Sequence, residues 1–294
     1  MAVAPTSAAI KWGLDRYCPE MLIVVPAAGV PDRGEIRALT TNSETVAVCL
    51  HTGPSLEGVT TDLGVIGDDL REYDLVVVPD LQTFEQYEGL GTFRLSLIEP
   101  AVHPPALMDF VSSQRRGVVV VGDADPGNID VVMSIDHLDD VVVMGEGWTD
   151  LPVKAEVVDY LPLPERASLF AGAHITIELP VSLAHQSEVQ KSVFELGLSA
   201  AVYESAVVGT PSLVQARAAV EHVLVPGAEI ITFQSTEDLG KLIPLLLVDH
   251  EETTKVGEAA WSRVTADHTW AQRWRSFLAP WVYDSVIDLS LIHI

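Results

Sequence analysis

A two-domain α/β protein built on doubly wound parallel sheets is the fold class this sequence predicts, and three observations lead to it. Short apolar runs bounded by Pro or Gly recur, at residues 21–26, 75–79 and 117–122. Runs that are apolar at every position, rather than at alternate ones, suit strands buried on both faces, as in parallel sheets. Helix-like segments lie between the runs, which is the alternation of βαβ units. The chain has 294 residues, 48% of them hydrophobic, enough for two ordinary domains with cores of their own.

In order, residues 21–26 read as a first strand and 32–40 as a short helix capped by Asp32. Residues 46–50 are a second strand leading into His51-Thr52-Gly53-Pro54. The acidic stretch 61–73 reads as part loop and part helix, 75–79 as a third strand, and 80–89 as a helix stopping at Gly89. Three strands make a thin sheet. The first domain, residues 1–104, is therefore expected to be truncated or reduced, unless further strands sit in poorly patterned segments. Pro100, Pro104 and Pro105 mark the linker.

The pattern then restarts for a second domain over residues 105–278. Strands are expected at 117–122, 140–144, 155–160, 174–178, 212–214 and 230–233, with a loop at 123–128. Helices are expected at 164–171, 237–247 and 251–264. Trp270, Arg273, Trp274, Arg275 and Trp281 gather at helical spacing, which suits packing better than a ligand platform. Residues 279–294 form a tail whose last six, Leu289-Ser290-Leu291-Ile292-His293-Ile294, have no capping or periodic logic and read as non-native read-through.

Charge excludes whole classes of partner. Forty-two acids against 17 Lys and Arg give a net charge of −25, a surface that repels phosphate backbones and anionic lipid. Such acidity with few lysines suits a high-salt cytoplasm, where salt screens the self-repulsion. Cys18 and Cys49 lack metal-ligand spacing, and Cys49 sits in an apolar run where a buried thiol is expected. His174, His185 and His222 form no ligand cluster by spacing either. No apolar run approaches the ~18 residues a spanning helix needs, and the amino terminus lacks a signal pattern. A soluble cytoplasmic protein is the expectation.

The stretch that organises the chain runs Val202-Tyr203-Glu204-Ser205-Ala206-Val207-Val208-Gly209-Thr210-Pro211-Ser212-Leu213-Val214. It reads as a helix carrying one acid, a Gly-Thr-Pro break, and a buried strand. Read alone, Glu204 is as well explained as a surface residue of an ordinary helix. Other phrases stand around it in order: Asp74–Asp80, Leu97-Ile98-Glu99-Pro100-Ala101-Val102-His103, Val143-Met144-Gly145-Glu146-Gly147-Trp148, Val225-Pro226-Gly227-Ala228-Glu229-Ile230, and His268-Thr269-Trp270 with Arg273. This ordered set resembles the group-1 glycosyltransferases of the two-Rossmann (GT-B) architecture, nearest to the CgeB-like spore-maturation type, over roughly residues 73–278.

The resemblance implies transfer of a sugar from a nucleotide-diphosphate sugar, UDP- or GDP-linked, to a small-molecule, glycan or protein acceptor. No other cofactor is implied. Glu204 would accept hydrogen bonds from donor hydroxyls, Gly209 and Thr210 would approach the diphosphate, and Gly122, Gly145 and Gly147 would line the nucleotide. His51, just after a strand, is the candidate catalytic base, set against a structural loop histidine. The sequence departs from the family where Leu196 and Ala201 replace a usual glutamate and arginine, and Glu195 lies one position out of phase. The loop Gly122-Asp123-Ala124-Asp125-Pro126-Gly127-Asn128 is acidic where cations are usual, and would repel a diphosphate unless a divalent metal bridged them. Lys191, Arg217 and Arg166 could replace those cations, but each reads as a solvated surface charge. An inactive nucleotide-sugar-binding scaffold, or an epimerase of the same architecture, are the alternatives.

Overall fold

In a computed structural model the structure describes residues 6–25, 33–41, 44–50, 70–79, 84, 87–89, 94–110, 115–179 and 197–279. The chain divides into two compact units, one of residues 1–99 with 183–197 and the other of 100–182 with 198–294.

The first unit contains α1 (Ser7–Tyr17), β1 (Met21–Val24), α2 (Arg33–Thr40), β2 (Val46–Leu50), β3 (Leu75–Val78) and β4 (Leu95–Leu97). Among the described residues four strands lie parallel in the order β1-β2-β3-β4. The fourth strand corrects the three-strand expectation. At three residues it is too short for its period to stand out, and its partner β3 lies outside any local window. Ile36, Ala47, Cys49, Val76 and Val78 form the unit's core. Cys49 is buried, Cys18 is exposed, and no disulfide joins them. Asp74 ties the sheet to α2, accepting from Ala47 N at 2.8 Å and from Arg37 Nη1 at 2.9 Å.

The second unit opens with two short 3₁₀ turns, Pro104–Ala106 and Met108–Phe110. Then follow β5 (Val118–Val121), α3 (Pro126–Ile135), β6 (Val141–Met144), β7 (Glu156–Val158), α4 (Leu163–Gly172) and β8 (Ile175–Glu178). It closes with α5 (Ala200–Val207), β9 (Ser212–Gln215), α6 (Ala218–Val223), β10 (Ile231–Phe233), α7 (Thr236–Val248), α8 (His250–Asp267) and α9 (Trp270–Leu278). All six strands are parallel, in the order β10-β9-β8-β5-β6-β7. Alternate residues supply the two faces. Val119, Val121, Met144 and Val214 pack with α4, α5 and α8. Val118, Val120, Val143, Ile177 and Leu213 pack with α3 and α7. Burial on both faces is why the strands read as continuous apolar runs.

Helix α3 was not expected, because Pro126 and Gly127 suggest a loop. Pro126 instead occupies the helix start, where its missing N–H costs nothing, and Asp125 caps it, its Oδ1 accepting from Asn128 N at 3.0 Å. At the other end of the unit Thr269 and Gln272 form a reciprocal capping box on α9. Val102 N donates to His268 O at 3.1 Å and Trp270 N to Val102 O at 3.0 Å. The His-Thr-Trp phrase thus fastens α9 to the segment that opens the unit.

Candidate functional site

Counted from β5, the strand order of the second unit is 3-2-1-4-5-6, so the order reverses between β5 and β8. Ligands of open α/β sheets bind outside the carboxyl ends of the strands at such a point. The residues at that edge are therefore the ones that follow Val121, Met144, Val158, Glu178 and Gln215.

Two glycine-ended strands meet there. A Cβ on Gly145 would stand 2.2 Å from Gly122 O, and one on Gly122 would stand 2.7 Å from the Leu179 Cβ. Both positions need glycine because backbone packs on backbone across β5, β6 and β8. The two turns are then zipped together: Gly122 N to Met144 O at 3.0 Å, Ala124 N to Glu146 O at 2.8 Å, and the buried Trp148 Nε1 to Gly122 O at 2.7 Å. Gly147 follows at φ 80°, where a Cβ would stand 3.3 Å from the Ala124 Cβ. Gly122, Gly145 and Gly147 are thus together at the carboxyl edge, Gly122 closing the switch-point strand β5 and the other two following its neighbour β6.

The acidic loop after Gly122 is partly partnered: one oxygen of Asp125 caps α3, while its Oδ2 is buried without a hydrogen-bond partner. Asp123 Oδ1 accepts from Glu146 N at 2.9 Å. Burial, together with the nearby charge of Asp123, raises the Tyr160 phenol above its ordinary range. Asp125 fills the amino end of α3, so this helix start already holds an anion.

Glu204 lies on α5 with only 7% of the residue exposed. Arg166, in the first turn of α4, grips it with both faces of the fork: Nε to Oε2 at 2.5 Å and Nη2 to Oε1 at 2.6 Å, while Nη1 donates to Leu161 O at 2.9 Å. A second pair stands beside it. Arg217 Nη2 lies 2.8 Å from both oxygens of Glu178, and Ser199 N donates to Glu178 Oε1 at 3.1 Å. The expectation that Arg166 and Arg217 are solvated surface charges is therefore corrected: their side chains are 24% and 9% exposed and each is bound to a carboxylate. Sequence reasoning missed Glu178 altogether. The signal available was weak, an acid closing an otherwise apolar strand.

Glu178 also fixes the start of α5. No side chain caps that helix, its first turn carries no acid, and Ser199 Oγ is buried without a hydrogen-bond partner. Among the described residues, the start of α5 carries no capping side chain, in contrast to that of α3, which Asp125 caps.

Gly209 and Thr210 are not brought to this edge, a correction to their expected place. They follow the carboxyl end of α5 and precede β9, which puts them at the amino edge of the sheet. Thr210 is fully buried, its Oγ1 donating to Phe170 O at 2.8 Å. Gly209 takes φ 74°, its carbonyl and that of Val208 accept from Arg115, and a Cβ on Gly257 of α8 would stand 2.4 Å from its oxygen. The Gly-Thr-Pro phrase is explained by helix termination and close packing. A cavity of about 660 Å³ also opens at this amino edge, lined by Arg116, Asp136, His137, Lys154, Glu156 and Ser168. It touches none of the carboxyl-edge residues.

His51, Lys191, Glu195 and Leu196 lie outside the described residues. Among the described residues, no group of three or more His, Cys, Asp or Glu is placed to hold a metal ion, and no helix is long and apolar enough to cross a membrane. His268, candidate only as part of its phrase, is a packed core histidine. Nε2 meets Val223 O at 3.1 Å, Nδ1 meets Arg273 Nη2 at 2.7 Å, and burial beside Arg273 pushes its pKa down to about 4.

Comparison with known proteins agrees with this architecture. No curated protein matches the sequence. Among solved structures, sucrose-phosphate synthase from Thermosynechococcus elongatus superposes with a TM-score of 0.62 at 14% identity, over 93% of this chain and 77% of that one. Anabaena HepE in complex with UDP-glucose gives 0.65 at 10% identity, over 94% and 81%. TarM gives 0.60 at 9% identity, over 93% and 57%. At such identities the likeness is one of fold, the two-sheet GT-B architecture. Residues 130–279, just over half the chain, match the profile described as glycosyl transferase-like. The chain belongs to the glycosyl transferase-like family.

Proposed function

We propose that the second unit binds a nucleotide-diphosphate sugar at its carboxyl edge and that the protein transfers the sugar to an acceptor in the cytoplasm. The ordered phrases around residues 203–211 favour the CgeB-like type within the family. The observation that carries the reading is Glu204, a carboxylate held in place by Arg166 beside the switch point of the sheet. A carboxylate fixed by two bonds can accept donor hydroxyls without reorganising, which lowers the entropic cost of binding.

The chemistry of the neighbours fits the rest of such a donor. The start of α5, which no side chain caps among the described residues, offers backbone N–H groups and the positive end of the helix dipole to a diphosphate, with the buried Ser199 hydroxyl as a further donor. Gly122, Gly145 and Gly147 keep the adjoining edge free of side chains, so a nucleotide could lie against backbone. HepE is seen with UDP-glucose on the same fold, which supports a UDP-linked donor. His51 remains the proposed base for the acceptor.

Titration calorimetry with UDP- and GDP-sugars tests this directly. Binding is expected for the unaltered protein and its loss for Glu204→Gln. Absence of heat with every nucleotide sugar would remove the reading. A second reading, a nucleotide-sugar-binding protein without turnover, is favoured by the commitment of both Arg166 and Arg217 to carboxylates. It predicts binding without release of free nucleotide.

A further inference from the structure

We infer that Thr176, Ser212 and Ser205 are positioning residues for Glu204. Their three buried hydroxyls form a chain that fixes how far α5 is rolled about its own axis, and with it the pairing of Glu204 with Arg166. The effect on ligands rests on the donor-binding reading above, whereas the positioning itself is measurable without a ligand.

The chain joins three elements inside the core. Thr176 of β8 and Ser212 of β9 are register partners, with their hydroxyls 2.9 Å apart. Ser212 Oγ lies 2.6 Å from Ser205 Oγ on α5, and Ser205 donates to Val202 O at 3.0 Å. None of the three residues is more than 4% exposed. A hydroxyl has one proton to give, so the directions follow. Ser205 spends its proton on Val202 O; Ser212 then donates to Ser205, and Thr176 to Ser212. The other acceptor within reach of Thr176, Pro211 O, is farther away at 3.4 Å.

Apolar side chains would fill this space with no polar group to desolvate. What the hydroxyls add is direction. Ser205 faces the sheet, and Glu204, about 100° round the helix, is turned to Arg166 of α4. Apolar contact is non-directional and holds such an angle loosely. A roll of ~20° at a side-chain radius of about 5 Å carries a carboxylate about 2 Å sideways. That exceeds the whole spread of hydrogen-bond lengths, roughly 2.7–3.2 Å. Two other polar ties of α5 lie at its ends, Ser199 N on Glu178 before it and the Val208 and Gly209 carbonyls on Arg115 after it. End ties limit sliding and tilt. The hydroxyl chain, one residue from Glu204, limits roll.

Two measurements on the full chain test this. The first is titration calorimetry with UDP-glucose and GDP-glucose. Thr176→Val and Ser212→Ala each break the chain, and Thr176→Ser keeps the hydroxyl. Ile177→Val trims the opposite face of β8, which packs with α3 and α7, and so loosens the core without touching the chain. Thr176→Val and Ser212→Ala are expected to bind about 5-fold more weakly, the worth of one hydrogen bond. Thr176→Ser and Ile177→Val should bind as the unaltered protein does. The second is the Arg166–Glu204 coupling, from urea unfolding of R166L, E204L and R166L/E204L. It should shrink when the cycle is repeated in Thr176→Val and return in Thr176→Ser. Folded Thr176→Val and Ser212→Ala proteins with unaltered affinity and coupling would overturn the inference and leave the donor reading standing. An Ile177→Val protein that loses as much affinity as Thr176→Val would also overturn it. If the unaltered protein binds neither nucleotide sugar, the donor reading falls and the coupling alone decides the positioning.

Discussion

Breaking the Arg217–Glu178 pair from one side should cost far more than removing it whole. The two side chains are 9% and 5% exposed, with Nη2 2.8 Å from each carboxylate oxygen. At an effective dielectric near 20, unit charges about 4 Å apart attract by roughly 4 kcal/mol, while withdrawing each ion from water costs several kcal/mol. The attraction alone does not offset both ions, and the intact pair approaches balance only through the three hydrogen bonds to Glu178; Arg217→Met leaves Glu178 buried with only Ser199 N to satisfy it. A destabilisation of about 3–5 kcal/mol follows. The R217M/E178M double variant removes both charges and fills the space. It should lose only the bond to Ser199 N, about 1 kcal/mol. For a unit of this size 1 kcal/mol moves Tm by roughly 2–4 °C, so the single variant should melt about 6–20 °C lower and the double within about 4 °C of the parent. Urea unfolding followed by tryptophan fluorescence, arranged as a double-mutant cycle, gives the coupling. A single variant costing under about 1 kcal/mol, or a double variant no better than the single, would refute the claim that this pair is buried and mutually dependent.

Three further outcomes are expected. Gly145→Ala would drive a methyl to 2.2 Å from Gly122 O, so the unit should either fail to fold or lose upward of 3 kcal/mol, read by the same unfolding assay. His268, held neutral down to about pH 4 by burial and by Arg273, has a folded pKa below its unfolded value near 6.5. Its contribution is thus complete above about pH 6.5 and is lost as pH falls toward 4. A His268→Gln variant should lose that part of the acid dependence of Tm. The net charge of −25 predicts that Tm rises as salt goes from ~0.1 to ~1 M, where the screening length shortens from about 10 to about 3 Å. Greatest stability in low salt would contradict the high-salt origin read from composition.

Much of the second sheet could be read from the chain because double burial writes itself locally: the central strands β5 and β6 stand as apolar runs closed by glycine, whereas the edge strands β7 and β10 are less buried and less uniformly apolar. What escaped were features whose cause is remote in sequence. Strand β4 is defined by pairing with β3, and α3 by a cap that turns an apparent loop signal into a helix start. The site divides the same way. Glu204 is visible because its phrase is ordered with others, yet its partner Arg166, 38 positions away, meets it only when α4 packs beside α5, and the Glu178–Arg217 pair, 39 apart, forms only when β8 pairs with β9. Gly209 and Thr210 misled in the opposite direction. A glycine after a helix suits a phosphate turn as well as it suits a helix stop, and the strand that follows it, not its own identity, decides which edge of the sheet it occupies.

The bridge between Val102 and the residues around Thr269 has a consequence for how this unit can be handled as a part. Its incoming segment and the start of its closing helix are stitched together by main-chain bonds. A fragment that begins after Val102 would therefore strip His268 O and Trp270 N of these partners, and one that stops before His268 would strip Val102 of both. Because residues 183–197 group with the first unit, the second unit is interrupted once along the chain, and excising it as a single part means closing that gap as well as keeping both sides of the bridge.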